Sequence, residues 1–244
     1  MKIRLITYNI HKGIGGLDRL YRPERIVDAV ARYEPDIVLL QEVDEGVPRS
    51  RGDRQVDVLG EALGLAHRVF HPNVKLRRGH YGNAILSRFP FTEEHRLDLT
   101  MPMKKRRGAI AVNCHLTLNG HSRTLKVFNL HLGLAGYERK RQLRKLLNWD
   151  VLDHTQAATP LVVAGDFNDV WGNLGRVVME PAGFRPAMGR VLTFPAYAPV
   201  MPLDRVFLRG EVRVENCFAC RSELARRASD HRPLVVELTV TEPN

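Results

Sequence analysis

The sequence predicts an α/β protein in which two mixed β-sheets pack face to face with helices outside. Three observations carry that expectation. Two short, continuously apolar runs, Ile37-Val38-Leu39-Leu40 and Leu161-Val162-Val163-Ala164, read as strands covered on both faces. A helical stripe precedes each: Ile26, Val27, Val30 and Ala31 before the first, and Leu143, Leu146, Leu147 and Val151 before the second. Between them the chain reads as a series of strands punctuated by turn signals, as antiparallel hairpins do.

The elements follow in order. Residues 2–9 form a first strand that meets the loop His11-Lys12-Gly13-Ile14-Gly15-Gly16. Pro23 sits where a first-turn proline is tolerated, and Pro35-Asp36 stops that helix ahead of the strand at 37–40. A second helix is expected over 54–63, with Leu59 and Leu63 on one side. Strands are expected at 67–70, 83–87, 93–99, 108–118 and 124–131. Asn119-Gly120 marks a tight hairpin between the last two, because both residues accept positive φ. A long helix is expected over 137–152, with Arg139, Lys140, Arg141, Arg144 and Lys145 opposite its leucines. After the strand at 161–164 come Gly165-Asp166, a short helix near 174–178, and strands at 205–208, 212–215 and 234–240.

At 244 residues and 44% apolar content, the chain can fill a core without metal or disulfide staples. No linker is long or polar enough to mark a boundary, so 1–244 is read as a single domain, with a monomer as the default. The 19 Gly and 14 Pro imply many turns rather than disorder. No run of about 18 apolar residues offers a transmembrane span. Because residues 1–9 already alternate as a strand, no secretory signal is expected, and a reducing cytoplasm is the expected location. Cys114 reads as a core residue, and Cys217 and Cys220, a lone Cys-x-x-Cys, as structural or incidental, with a redox or metal role the alternative. An excess of 37 Lys and Arg over 27 Asp and Glu gives +10, which favours nucleic acid, phosphate esters or anionic lipid as partners.

The chemistry-bearing residues collect at strand ends. Asn9 and His11 follow the first strand, Glu42 follows the run 37–40, and His131 ends the strand at 124–131. Asp166 and Asn168 follow 161–164, Asp204 opens the strand at 205–208, and Asp230 and His231 precede the last. Strands that each deliver a polar residue to their ends are how a rigid sheet builds a converging site. Asn, Glu and Asp donors suit a hard cation such as Mg²⁺ or Mn²⁺. Zinc is disfavoured by the absence of HExxH and of clustered Cys/His spacing. The lack of a GxxxxGK[ST] run argues against a nucleotide-driven enzyme.

The order of these motifs carries a resemblance. Thr7-Tyr8-Asn9-Ile10-His11, Leu40-Gln41-Glu42, Gly82-Asn83-Ala84-Ile85-Leu86-Ser87, Asn129-Leu130-His131, Gly165-Asp166-Phe167-Asn168, Leu203-Asp204-Arg205 and Ser229-Asp230-His231 together resemble the endonuclease/exonuclease/phosphatase superfamily. The resemblance spans nearly the whole chain and implies a DNase I-like, four-layered α/β sandwich. It implies a metal, Mg²⁺ or Mn²⁺, held chiefly by Glu42 with Asn9 and Asp230 close by. Asp166 would orient or deprotonate the attacking water, Asn168 would hold a phosphoryl oxygen, His231 would pair with Asp204, and His131 would donate to the phosphate. Asp166 and His231 are interchangeable as general base at this stage. Where abasic-site endonucleases carry an acid, this chain has His11, which looks more like the sphingomyelinase and general phosphodiesterase branches.

The activity so implied is that of a metal-dependent phosphodiester hydrolase, with DNA the leading substrate and a phospholipid, sphingomyelin or small phosphoester the alternatives. His11, Arg77, Arg78, Tyr81 and Asn83 are candidate substrate contacts at the cleft rim. Basic clusters at 75–78, 104–107, 139–145 and 221–227 are candidates for backbone binding. A lipid enzyme needs an apolar insertion device as well, for which 192–202 is the sole candidate.

Overall fold

The computed structural model describes residues 1–118 and 120–241. Strand β1 (Lys2–Asn9) leads through α1 (Pro23–Ala31) to β2 (Ile37–Glu45), then α2 (Gln55–Ala62) and the hairpin β3 (His67–Lys75) and β4 (His80–Ser87). A meander of β5 (Phe91–Asp98), β6 (Gly108–Leu118) and β7 (His121–His131) is followed by α3 (Gly136–Leu147), α4 (Asp150–Asp153) and β8 (Leu161–Asp166). The chain closes with β9 (Arg185–Pro186), β10 (Asp204–Arg209), β11 (Val212–Ala219), α5 (Glu223–Ala228) and β12 (Leu234–Val240).

The strands form two mixed sheets of six, ordered β11-β12-β1-β2-β4-β3 and β5-β6-β7-β8-β10-β9. Each holds one parallel pair, β1 with β2 and β7 with β8. A parallel neighbour needs a crossover, which α1 supplies in the first sheet and α3 with α4 in the second. Side-chain parity then builds the layers. Ile3, Leu5, Ile37, Leu39, Val162 and Ala164 pack between the sheets. Ile6, Tyr8, Val38 and Leu40 face Ile26, Val30, Val56 and Leu59 of α1 and α2. Leu161 and Val163 face Leu143, Leu146 and Leu152 of α3 and α4. Helix, sheet, sheet and helix make the four-layered sandwich, and the continuously apolar strands are those buried on both faces.

Asn129 of β7 ties the two sheets together. Its Nδ2 donates to the Leu40 carbonyl at 2.9 Å and the Ala84 carbonyl at 2.8 Å, both in the first sheet. Its Oδ1 accepts from Gln41 Nε2 at 2.7 Å.

Four sequence expectations need correction. The helix expected over 137–152 is broken, because Trp149 takes extended backbone (φ −78°, ψ 128°) and sets its ring edge-on to Phe128 at 5.9 Å. Arg139 is buried rather than on the basic face, with Nη1 donating to the Leu134 carbonyl. The basic residues Arg226 and Arg227 lie on α5, which the sequence reading left without a helix and which Ser222 caps through Ala225 N–H at 3.2 Å. Strand β2 does not stop at Leu40 but continues to Glu45 through an irregularity between Leu40 and Val43. The Asn119 half of the Asn119-Gly120 turn lies outside the described residues, although Leu118 pairs with His121 and Gly120 has φ +84°. Cys217 packs between the sheets and Cys220 against Ala29 and Ala225, so the Cys-x-x-Cys splits between two clusters.

Candidate active site

The ends of the two parallel pairs face each other, and parity decides which side chains enter the space between them. Along β8, Val162 and Ala164 point between the sheets, and so does Asp166 two residues on. The register pairs Asp166 with His131 on β7 and with Asp204 on β10, a row of three across the second sheet. Asn9, of the same parity as Ile3 and Leu5, reaches in from β1. Gly165 makes the approach possible. It holds φ +143°, and a Cβ there would lie 2.0 Å from the Leu130 carbonyl oxygen.

Asp166 is the hub. Its Oδ2 accepts from Asn9 Nδ2 at 3.0 Å and lies 3.4 Å from His131 Nε2 and 3.8 Å from His231 Nε2. Its Oδ1 accepts from the Asn168 N–H at 2.9 Å. Asn168 itself sits at φ +49°, its Nδ2 donating to the Leu132 carbonyl at 2.9 Å. His231 Nδ1 is 2.8 Å from Asp204 Oδ2, whose other oxygen is buried without a partner. The loop 192–202 braces this pair, while Tyr197 and Val200 on it are 53% and 61% exposed. The Phe194 ring packs at a tilt, 5.0 Å from the His231 ring, and Thr193 Oγ1 accepts from the Asp204 N–H at 3.4 Å.

The two histidines are driven apart in charge. For His231, burial opposes protonation, but Asp204 and Asp166 outweigh it and raise the pKa to about 10. For His131, burial and then the neighbouring Arg107 lower the pKa to about 4. Arg107 Nη1 stands 3.5 Å from His131 Nδ1, which makes Nδ1 the acceptor and places the imidazole proton on Nε2, toward Asp166. One ring is thus an imidazolium and the other a neutral donor.

Glu42 forms a second group. It occupies the irregularity in β2 at φ +59°, where an extra residue re-aims a side chain that strict alternation would send outward. Burial alone would raise its pKa, but His131 and Lys12 lower it overall. His131 contributes only when protonated, so at neutral pH the counter-charge is Lys12, whose Nζ donates to Glu42 Oε2. Tyr81 stands beside it, its hydroxyl pKa raised by burial and by Glu42.

Among the described residues, no three His, Cys, Asp or Glu side chains gather into a metal cluster. A hard divalent cation needs less, since it binds through one or two carboxylates and keeps several waters. An ionised Glu42 with the Asn9 amide oxygen supplies that donor chemistry. Asn9 Oδ1 already accepts from the His11 N–H at 3.1 Å. Asp230 is half-buried beside Ser229, whose hydroxyl donates to the Asn9 carbonyl at 2.7 Å.

The remaining candidates divide. His11 turns Nδ1 to the Ile14 carbonyl at 2.9 Å, which leaves Nε2 for any substrate contact. Asn83 bridges the sheets through Nδ2 to the Gly108 carbonyl at 3.0 Å, with Oδ1 buried and unpartnered. Arg77 and Arg78 are exposed in the β3–β4 turn. Sequence reasoning missed Lys12, although it stands next to His11, and did not single out Arg107 from its basic cluster.

This two-sheet frame and its strand-end site define a class. The Endonuclease/Exonuclease/phosphatase family profile matches residues 6–231, and the chain belongs to that family, whose members hydrolyse phosphoester bonds. Among curated relatives, the uncharacterized protein YbhP of Escherichia coli (strain K12) is 29% identical over 251 residues, covering 96% of this chain and 95% of YbhP. An endonuclease/exonuclease/phosphatase from Beutenbergia cavernae is 25% identical, with a TM-score of 0.79 over 98% of this chain and 72% of its own. D. rerio TDP2 complexed with single strand DNA product matches at a TM-score of 0.71 and 21% identity, over 98% of this chain and 99% of its own, which is a likeness of fold.

Proposed function

We propose that the chain is a divalent-metal-dependent phosphodiester hydrolase acting on nucleic acid. The observation that carries this reading is the Asp166 carboxylate, held by Asn9 from one sheet and flanked by His131 and His231 between the two. A protonated His231 cannot accept a proton, so Asp166 is the group that orients or deprotonates the attacking water, while His231 donates to the phosphate. His131 and Asn168 are further donors for oxygens that gain charge during in-line attack. A bound Mg²⁺ or Mn²⁺ at Glu42 and Asn9, with Asp230 nearby, would neutralise phosphate charge. The choice of nucleic acid rests on the net charge of +10 and on Arg77 and Arg78, exposed in the β3–β4 turn.

One observation favours a phospholipid instead. Leu134, Tyr137 and Trp171 are 75%, 58% and 75% exposed, and they lie on the segments just after His131 and Asp166. Such a patch beside a catalytic cleft suits insertion into a membrane surface. Among the described residues no helix is long and apolar enough to cross a membrane. Plasmid DNA, anionic phospholipid vesicles and a sugar phosphate, assayed side by side with Mn²⁺, separate the readings. Plasmid cleavage at low salt supports the first. Vesicle hydrolysis without plasmid cleavage overturns it in favour of the second.

A further inference from the structure

Tyr81 is ringed by cations. The Lys105 ammonium lies 5.1 Å from its ring centroid, the Arg49 guanidinium 5.6 Å and the Lys12 ammonium 5.7 Å. Two of these are neutralised. Arg49 holds Asp44 in a fork at 2.8 and 2.7 Å, and Lys12 holds Glu42. Among the described residues, Lys105 forms no ion pair, and neither does Arg107 two positions along. Arg107 is 5% exposed, yet among the described residues its Nε has no hydrogen-bond partner. The Tyr81 hydroxyl, 4% exposed as a residue, lies within hydrogen-bonding reach of Glu42.

Part of this crowding costs folding free energy. A buried guanidinium with an open N–H costs desolvation, and like charges around one ring repel. Partial burial and then Arg107, aided by Lys12 and Arg49, hold the Lys105 ammonium below its ordinary pKa against the opposing pull of Glu42. The backbone nevertheless fixes the arrangement, since the Leu99 N–H donates to the Arg107 carbonyl at 2.9 Å and closes the β5–β6 connection. An anion seated there would relieve both costs. Arg107 also touches His131, so the anion would stand next to the reacting centre.

We infer that Lys105, Arg107 and the Tyr81 hydroxyl form an anion subsite that receives a second phosphate of the substrate, one unit along a nucleic-acid strand from the scissile diester. This rests on the phosphodiesterase reading and narrows it. A lone phosphocholine ester is disfavoured, because the Tyr81 ring that could host a quaternary ammonium by cation–π attraction is already flanked by protein cations.

Titration calorimetry without metal tests the subsite, comparing thymidine 3′,5′-bisphosphate with thymidine 5′-monophosphate. Wild type should bind the bisphosphate about tenfold or more tighter, the scale of one charge-assisted contact. Lys105→Met should lose that preference while keeping its monophosphate affinity, and Lys105→Arg should retain it. Equal affinity for the two ligands in wild type, or a preference that survives in Lys105→Met, overturns the proposal. So does a gain confined to vesicles of a two-phosphate lipid over a one-phosphate lipid, which would move the subsite from strand to membrane. Turnover of bis(p-nitrophenyl) phosphate with Mn²⁺ is scored separately, so a failure of the hydrolase reading is not confused with a failure of the subsite.

Discussion

At the residue scale, the proposed site holds neighbouring groups at opposite charges. His231 lies between Asp204 and Asp166, and the folded protein binds its proton more tightly than the unfolded chain does. Its pKa is raised from 6.5 to about 10, so this group's stabilisation is fully present below about pH 6.5 and is lost as pH rises through about 10. In metal-free protein, NMR of the imidazole nitrogens should show His231 still protonated at pH 8. Asp204→Asn should bring its titration back toward the ordinary range. A neutral His231 at pH 7 in wild type would contradict the assignment of donor and base. Glu42 is the carboxylate that water replaces least readily at the proposed metal position. Glu42→Gln should therefore weaken Mn²⁺ binding about tenfold or more by calorimetry, on the scale of lost ligand interactions. Unchanged affinity would remove Glu42 from the metal.

At the element scale, the β3–β4 turn carries Arg77 and Arg78 outside the reacting centre. If a duplex is bound there, Arg77→Glu with Arg78→Glu should cripple plasmid cleavage and leave a small chromogenic diester nearly untouched. Wild-type affinity for DNA should fall steeply between about 50 and 200 mM salt. Equal loss on both substrates would place the two arginines in a structural role. The same scale shows what the sequence could reveal. Parity along β1, β7 and β8 placed Asn9, His131 and Asp166 on one face, because those strands are regular up to their last residue. Glu42 was legible as a site residue but not as a bulge, since neither Gly nor Asn marks its left-handed backbone. The break at Trp149 was hidden for a related reason, as the stripe Leu143, Leu146, Leu147 and Val151 runs straight across it. Lys12 and Arg107 went unrecognised because their partners, Glu42 and His131, arrive from other strands.

For the whole molecule, the proposed site requires the inner ends of two sheets to be held in register. Asn129 does this from the middle of β7, with Leu40, Ala84 and Gln41 as its partners. Asn129→Leu would strand two carbonyls and an amide in a dry layer, costing about 3 kcal/mol or more. Thermal denaturation should show a Tm lower by roughly 6 to 12 °C, and a change under 2 °C, about what less than 1 kcal/mol gives, would show that the sheets are held elsewhere. The layered fold itself was readable from the doubly covered strands and their feeding helices, because burial on both faces leaves a continuous apolar signature. A metal-assisted hydrolase with Asp166 at its hub predicts a definite pattern of bis(p-nitrophenyl) phosphate turnover in chelated and Mn²⁺-reconstituted protein, for wild type and the nearly isosteric Asp166→Asn. The expected result is no turnover in chelator, recovery with Mn²⁺, and a loss of roughly 10³-fold or more in the variant. Full activity without metal, or a folded variant within about tenfold of wild type, a gap of only about 1.4 kcal/mol, would contradict it.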